Sequence, residues 1–125
     1  MKSFHDYRDL EVWQKAMQVV KQVYLLTEGF PPSELYGLTS QMRRAAISIP
    51  ANIAEGWGRR YTAEFIHFLR QANGSRTELE TLLMLSVEIN LCPQEAAQAI
   101  LEELQILGKQ LNNLERSLQR RRRSP

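Results

Sequence analysis

The chain has 125 residues, of which 43% are hydrophobic and 24% charged, and its formal net charge is +2, enough for one domain with a real core and short for two. No run approaches the ~20 apolar residues of a membrane span, and the opening MKSFHDYRDL has no apolar signal region, so a cytoplasmic protein without a membrane partner is expected. The single cysteine, Cys92, excludes an internal disulfide, and His5 and His67 alone offer no metal-ligand spacing, so no metal or other cofactor is expected.

No stretch alternates with period two, whereas apolar residues recur at spacings of three and four, and the chain reads as all-α. The first helix is predicted after Asp9, as N-cap, to about Glu28, where Gly29 and Pro31-Pro32 end it. Its apolar residues form two rows: Leu10, Trp13, Met17, Val20 and Tyr24, and Val12, Ala16, Val19 and Val23. Two faces to bury exceed what a simple bundle helix requires.

The second helix is predicted from about Leu38 to Ala54 or Glu55. At ~100° per residue, Gln41, Arg44, Ser48, Asn52, Glu55 and Arg59 form a polar stripe beside a broad apolar arc of Leu38, Met42, Ala45, Ala46, Ile49, Ile53 and Trp57. Arg43 interrupts the arc and stays solvated only if its long side chain reaches out of the packing. Pro50 lacks the N–H that would bond the Ala46 carbonyl, so a kink is expected there at a cost of ~3 kcal/mol. Ser48 or Asn52 is expected to supply the missing donor, and Glu55 and Arg59 have the spacing of a helical ion pair. Gly56-Trp57-Gly58 reads as a helix end with a left-handed glycine. It is no phosphate loop, since no strand precedes it and no Lys-Ser/Thr follows.

A third helix is predicted after Thr62 to about Asn90, with a seam of Phe65, Phe68, Ala72, Ser75, Leu79, Leu82, Ser86 and Ile89. Gly74 reads as a packing notch for a neighbouring helix. Leu91-Cys92-Pro93 is the break, with Pro93 suited to the first turn of the next helix. From about Gln94, Ile100, Leu104, Leu107, Leu111, Leu114 and Leu118 form a heptad seam, which favours the shallow crossing of an up-down-up-down four-helix bundle. Residues 119–125 read as a basic, disordered tail.

The small net charge conceals zones. Residues 1–41 sum to −1, residues 42–76 to +4, residues 77–119 to −5, and Arg120 to Arg123 to +4. Candidate nucleic-acid contacts are therefore Arg43, Arg59, Arg60, Arg70 and Arg76, with Arg120, Arg121, Arg122 and Arg123. Arg59 and Arg60 directly precede the third helix, whose free N–H groups and dipole favour a phosphate. Arg44, Ser48, Pro50, Asn52, Glu55, Gly56 and Trp57 read as a structural motif that satisfies a bent helix and a subunit contact.

YRDLEVWQKA (7–16), YGLTSQMRRAAISIPANIAEGWGRR (36–60) and EFIHFLRQANGSRTELET (64–81) together resemble the four-helix bundle family of bacterial 23S rRNA intervening sequences, once labelled ribosomal protein S23. The resemblance covers about residues 6–118. The same fold family includes the accessory variability determinant of diversity-generating retroelements, which works with a reverse transcriptase and binds nucleic acid. The resemblance implies a homopentamer of four-helix subunits forming a short barrel, no enzymatic activity, and a role in RNA binding. SIPANIAEG follows the intervening-sequence pattern more closely than the retroelement one.

Three functions stay open on these residues. One is an oligomeric scaffold that binds RNA or DNA through rings of positive charge, with little base stacking because few aromatic residues accompany the arginines. Another is a reverse-transcriptase accessory protein, and the third is an assembly protein without nucleic-acid affinity. An enzyme built on Asn52, Glu55, Arg59 and Tyr61 is not expected, because no nucleophile–histidine pairing or metal set accompanies them.

Overall fold

The apolar periodicity resolves into four helices: α1, Glu11–Thr27; α2, Ser40–Gly58; α3, Thr62–Glu88; and α4, Gln94–Arg123. The computed structural model describes residues 6–123, Arg123 by its backbone alone; residues 1–5, His5 among them, and residues 124–125 lie outside the described residues. Short links make chain neighbours antiparallel, and α4 closes on α1, so each helix packs against two others in an up-down-up-down bundle. One cluster of buried side chains runs through it. No helix among the described residues is long and apolar enough to cross a membrane.

The row Val12, Ala16, Val19, Val23 of α1 is buried, whereas in the second row Met17 is 44% and Tyr24 37% exposed. Leu10 of that second row is buried and Trp13 and Val20 are half-buried, so a single chain covers the Val12 face fully and the other in part. Asp9 lies in a 3-10 turn, Tyr7–Asp9, and Leu10 takes the N-cap position, where its side chain is buried and makes no capping bond. Packing of Leu10 outweighs the capping preference of the aspartate.

The α1–α2 link contains a 3-10 turn, Pro32–Glu34, and a π-helical turn, Leu35–Thr39, so α2 starts slightly later than the sequence suggests. Helical backbone then runs unbroken through the buried Pro50 to Gly58. The expected donor to the Ala46 carbonyl is not Asn52, whose Nδ2 donates instead to Ser48 O at 2.8 Å and Ser48 Oγ at 2.9 Å. Ser75 Oγ of α3 also donates to Ser48 Oγ at 2.9 Å, so this part of the polar stripe ties α2 to α3.

Gly56-Trp57-Gly58 is the last turn of α2 rather than a left-handed terminator, and no glycine has positive φ. A Cβ on Gly56 would sit 2.7 Å from Phe68 Cβ and 3.0 Å from Phe65 Cδ1. This close approach outweighs the ~1 kcal/mol propensity cost of a helical glycine. Gly74, read as the notch, faces open space, with nothing within 4 Å of a Cβ. Gly108 on α4 admits the Arg76 guanidinium, whose Cζ lies 2.8 Å from where a Cβ would be. Neither contact has a local sequence signal, because each depends on a residue from another helix.

Asn90, at φ 63°, ends α3: its N–H donates to Val87 O and the Leu91 N–H to Ser86 O at 2.8 Å, which satisfies the last carbonyls. Ile89 is exposed, so the predicted seam ends at the buried Ser86. In the turn that follows, burial pushes the Cys92 thiol up and favours its protonated form. The α4 seam is buried as expected, except that Leu114 is half-buried. The segment read as a disordered tail from residue 119 is helical as far as Arg123. Leu118 anchors this turn in the core, and cations suit a helix C-terminus.

Candidate nucleic-acid interface

The antiparallel order brings the start of α1, the α2–α3 link and the last turns of α4 to one end of the bundle. Between them lies a recess of ≈ 450 Å³ lined by Leu10, Gly56, Trp57, Gly58, Arg60, Tyr61, Thr62, Phe65, Leu114, Ser117, Leu118 and Arg121. Leu10, Phe65 and Leu118 are buried and give it an apolar floor. Trp57 is half-buried and meets Phe65 edge-on, with centroids 6.0 Å apart.

Arg60 owes its position to the backbone. The Arg60 N–H donates to Trp57 O at 3.2 Å, closing α2 with φ at 68°, and Tyr61 returns to extended geometry to start α3. A non-glycine residue held left-handed costs on the order of 1 kcal/mol. Arg60→Gly is therefore expected to leave thermal stability unchanged or raise it by up to about 1 kcal/mol, while weakening any anion binding at this end. Circular-dichroism melts and a binding titration on the same preparation check both.

Arg60, Arg121 and Arg122 are exposed and make no side-chain ion pair among the described residues. Arg120 also lies on this last turn of α4. Other candidate arginines are held within the chain. Arg43 donates from Nε to Thr27 Oγ1 at 2.8 Å, and its guanidinium lies 4.4 Å from the Tyr24 ring centroid. Arg59 pairs with Glu55 at 2.9 Å, as the spacing suggested, and lies over Phe68. Arg70 donates from Nε and Nη2 to Glu115 Oε2, and this hydrogen bond and charge raise its pKa above the ordinary value. Arg76 bonds Asn73 Oδ1 and pairs with Glu80 at 2.7 Å.

Along α2 and α3 a more polar recess of ≈ 580 Å³ is lined by Tyr36, Gly37, Ser40, Gln41, Arg44, Ala45, Ser48 and Glu78. Glu78 offsets Arg44 there, so this recess has no bias toward anions. The bundle end is the site where positive charge, aromatic surface and a concavity coincide. From the sequence, Arg60 and Arg121 were separate candidates, and Leu10, Phe65, Leu114, Ser117 and Leu118 carried no signal beyond the core pattern. Their meeting depends on the register of α4 against α2.

Comparison with known proteins agrees with this architecture. The chain is similar to a crystal structure of a protein of unknown function from the S23 ribosomal protein family of Bacteroides thetaiotaomicron, with a TM-score of 0.75 and 24% identity, covering 84% of this chain and 95% of that one. At that identity the likeness concerns the fold. No functionally curated protein matches. The sequence matches the family described as 23S rRNA-intervening sequence protein over residues 8–113, from the turn before α1 to well into α4. This chain belongs to the 23S rRNA-intervening sequence protein family.

Proposed function

We propose that this protein is a non-enzymatic, homopentameric scaffold that binds RNA through the basic end of its bundle. The observation that carries the reading is that Arg60 and Arg121, from two separate positive zones of the sequence, line one recess without side-chain ion pairs among the described residues. Five copies would repeat that charge around a ring, and linked weak contacts with a polyanion gain avidity. Assembly is supported by the incompletely covered apolar row of α1 and by Ile47 and Ile106, both more than 40% exposed. A non-enzymatic role is supported by Glu55, which is exposed and paired with Arg59 rather than buried as a general acid.

Filter binding of single-stranded RNA across salt tests the reading. Neutralising phosphates with Arg60, Arg121 and Arg122 of one subunit gives a slope of about −2 in log K against log salt, a loss of roughly 20-fold between about 50 and 200 mM. No binding at the lower salt, or binding that salt does not weaken, would sink it.

A further inference from the structure

Phosphate contacts alone require only exposed cations on a convex surface. The basic end offers more. Its recess has an apolar floor, and its volume of ≈ 450 Å³ falls within the roughly 300–1,000 Å³ typical of small-ligand sites. Tyr61 is 72% exposed at the recess, occupies the N-cap position of α3 and makes no capping bond there, so the ring serves neither the core nor the helix end. Trp57 offers a second aromatic surface, fixed by its edge contact with Phe65. Arg60 and Arg121 supply charge at the same recess, and the Ser117 hydroxyl adds a polar group.

Aromatic surface, an apolar floor and arginines together hold a nucleotide whose base has left the stack, with the ring against the aromatics and the phosphate against the guanidinium groups. A continuous duplex presents no such base. Few aromatic residues accompany the arginines along the chain, but Trp57, Tyr61 and Phe65 flank Arg60. Folding concentrates them at one concavity with Arg121. Leu114, Ser117, Leu118 and Arg121, the α4 wall, lie beyond residue 113, where the family match ends.

We propose that this recess is a base pocket, which takes one unpaired nucleotide of a single-stranded RNA, its base against Tyr61 and Trp57 and its phosphate against Arg60 and Arg121. The assignment rests on the reading of the basic end as an RNA surface and adds which form of RNA that surface selects. Tyr61, Thr62 and Ser117 are the lining side chains with a hydroxyl to offer a base edge, and a hydroxyl both donates and accepts, so selection is for an unpaired base more than for its identity.

Fluorescence anisotropy with a labelled RNA of about 12 nucleotides, free and annealed to its complement, tests the pocket in the full chain. The single strand is expected to bind at least about tenfold tighter than the duplex. Tyr61→Ala should weaken the single strand about tenfold and leave the duplex unchanged, with Tyr61→Phe retaining the preference. Because Tyr61 is exposed, unchanged circular dichroism should accompany these variants. Adenosine monophosphate is expected to compete only at millimolar concentration, since one nucleotide lacks the neighbouring phosphates; displacement at micromolar concentration would reassign the pocket to a free nucleotide. Equal affinity for strand and duplex, or a Tyr61→Ala variant that binds the strand like the parent, overturns the base pocket while the basic-end reading stands. Failure of both RNAs to bind at low salt overturns both.

Discussion

Leu107→Ala is expected to lower the unfolding free energy by about 3 kcal/mol and the melting temperature by roughly 10 °C. Leu107 is fully buried in the middle of the α4 seam, between the buried Leu104 and Leu111. Truncation loses the transfer free energy of the removed carbons and leaves a cavity that long helices, each packed against two others, close poorly. The neighbouring residue separates core from surface. Ile106 is 45% exposed, and Ile106→Ala gains helix propensity, so its expected change is within about 0.5 kcal/mol. Thermal unfolding followed by circular dichroism at two protein concentrations measures both. A cost below about 1 kcal/mol for Leu107→Ala would contradict the seam as core. A large, concentration-dependent cost for Ile106→Ala would place the outer face of α4 in a subunit contact.

Patterns internal to one helix were the most legible part of this molecule. The leucine spacing of α4 gave its buried face, and the wheel of α2 correctly separated Met42, Ala46, Ile49 and Ile53 from Ser48 and Asn52. Endings were less legible, because terminators act through tertiary contacts as well as local preference. Gly56 and Gly58 looked like the end of α2, but Gly56 is needed for the approach of Phe65 and Phe68, and the left-handed residue is Arg60. Likewise the small residues of α3 suggested a notch at Gly74, whereas the close approaches fall at Gly56 and Gly108. Which glycine faces a neighbour depends on helix rotation, and spacing leaves that open when the moment of a helix is weak.

The candidate site was legible as charge and illegible as a place. Summing charges by segment identified two positive zones, but Arg43, Arg70 and Arg76 in the first zone are held by Thr27, Glu115 and Glu80. Two of those partners, Thr27 and Glu115, belong to other helices, so the sequence count could not discount them. Conversely, Arg60 and Arg121 reinforce each other because α4 runs antiparallel to α3 and is long enough for its last turns to return to the α2–α3 link.

Arg60→Glu/Arg121→Glu is expected to weaken single-stranded RNA by more than about 100-fold at low salt and to flatten the salt slope by about 1.4 per subunit. Each reversal removes a phosphate contact and installs a repulsive charge, and both act within a Debye length of about 8–10 Å at a shared recess. Stability should change little, because both side chains are exposed and make no ion pair among the described residues. The control is Lys21→Glu/Lys109→Glu, which changes net charge equally at exposed positions, Lys21 about three turns along α1 from Leu10 and Lys109 about three turns along α4 from Arg121. That pair should weaken binding less than about threefold, since screening removes most of the influence of distant surface charge. Equal losses from the two pairs would assign affinity to overall charge and remove the case for a site at this end. Unequal losses with unchanged melting curves would localise the phosphate contacts to the place where α2, α3 and α4 meet.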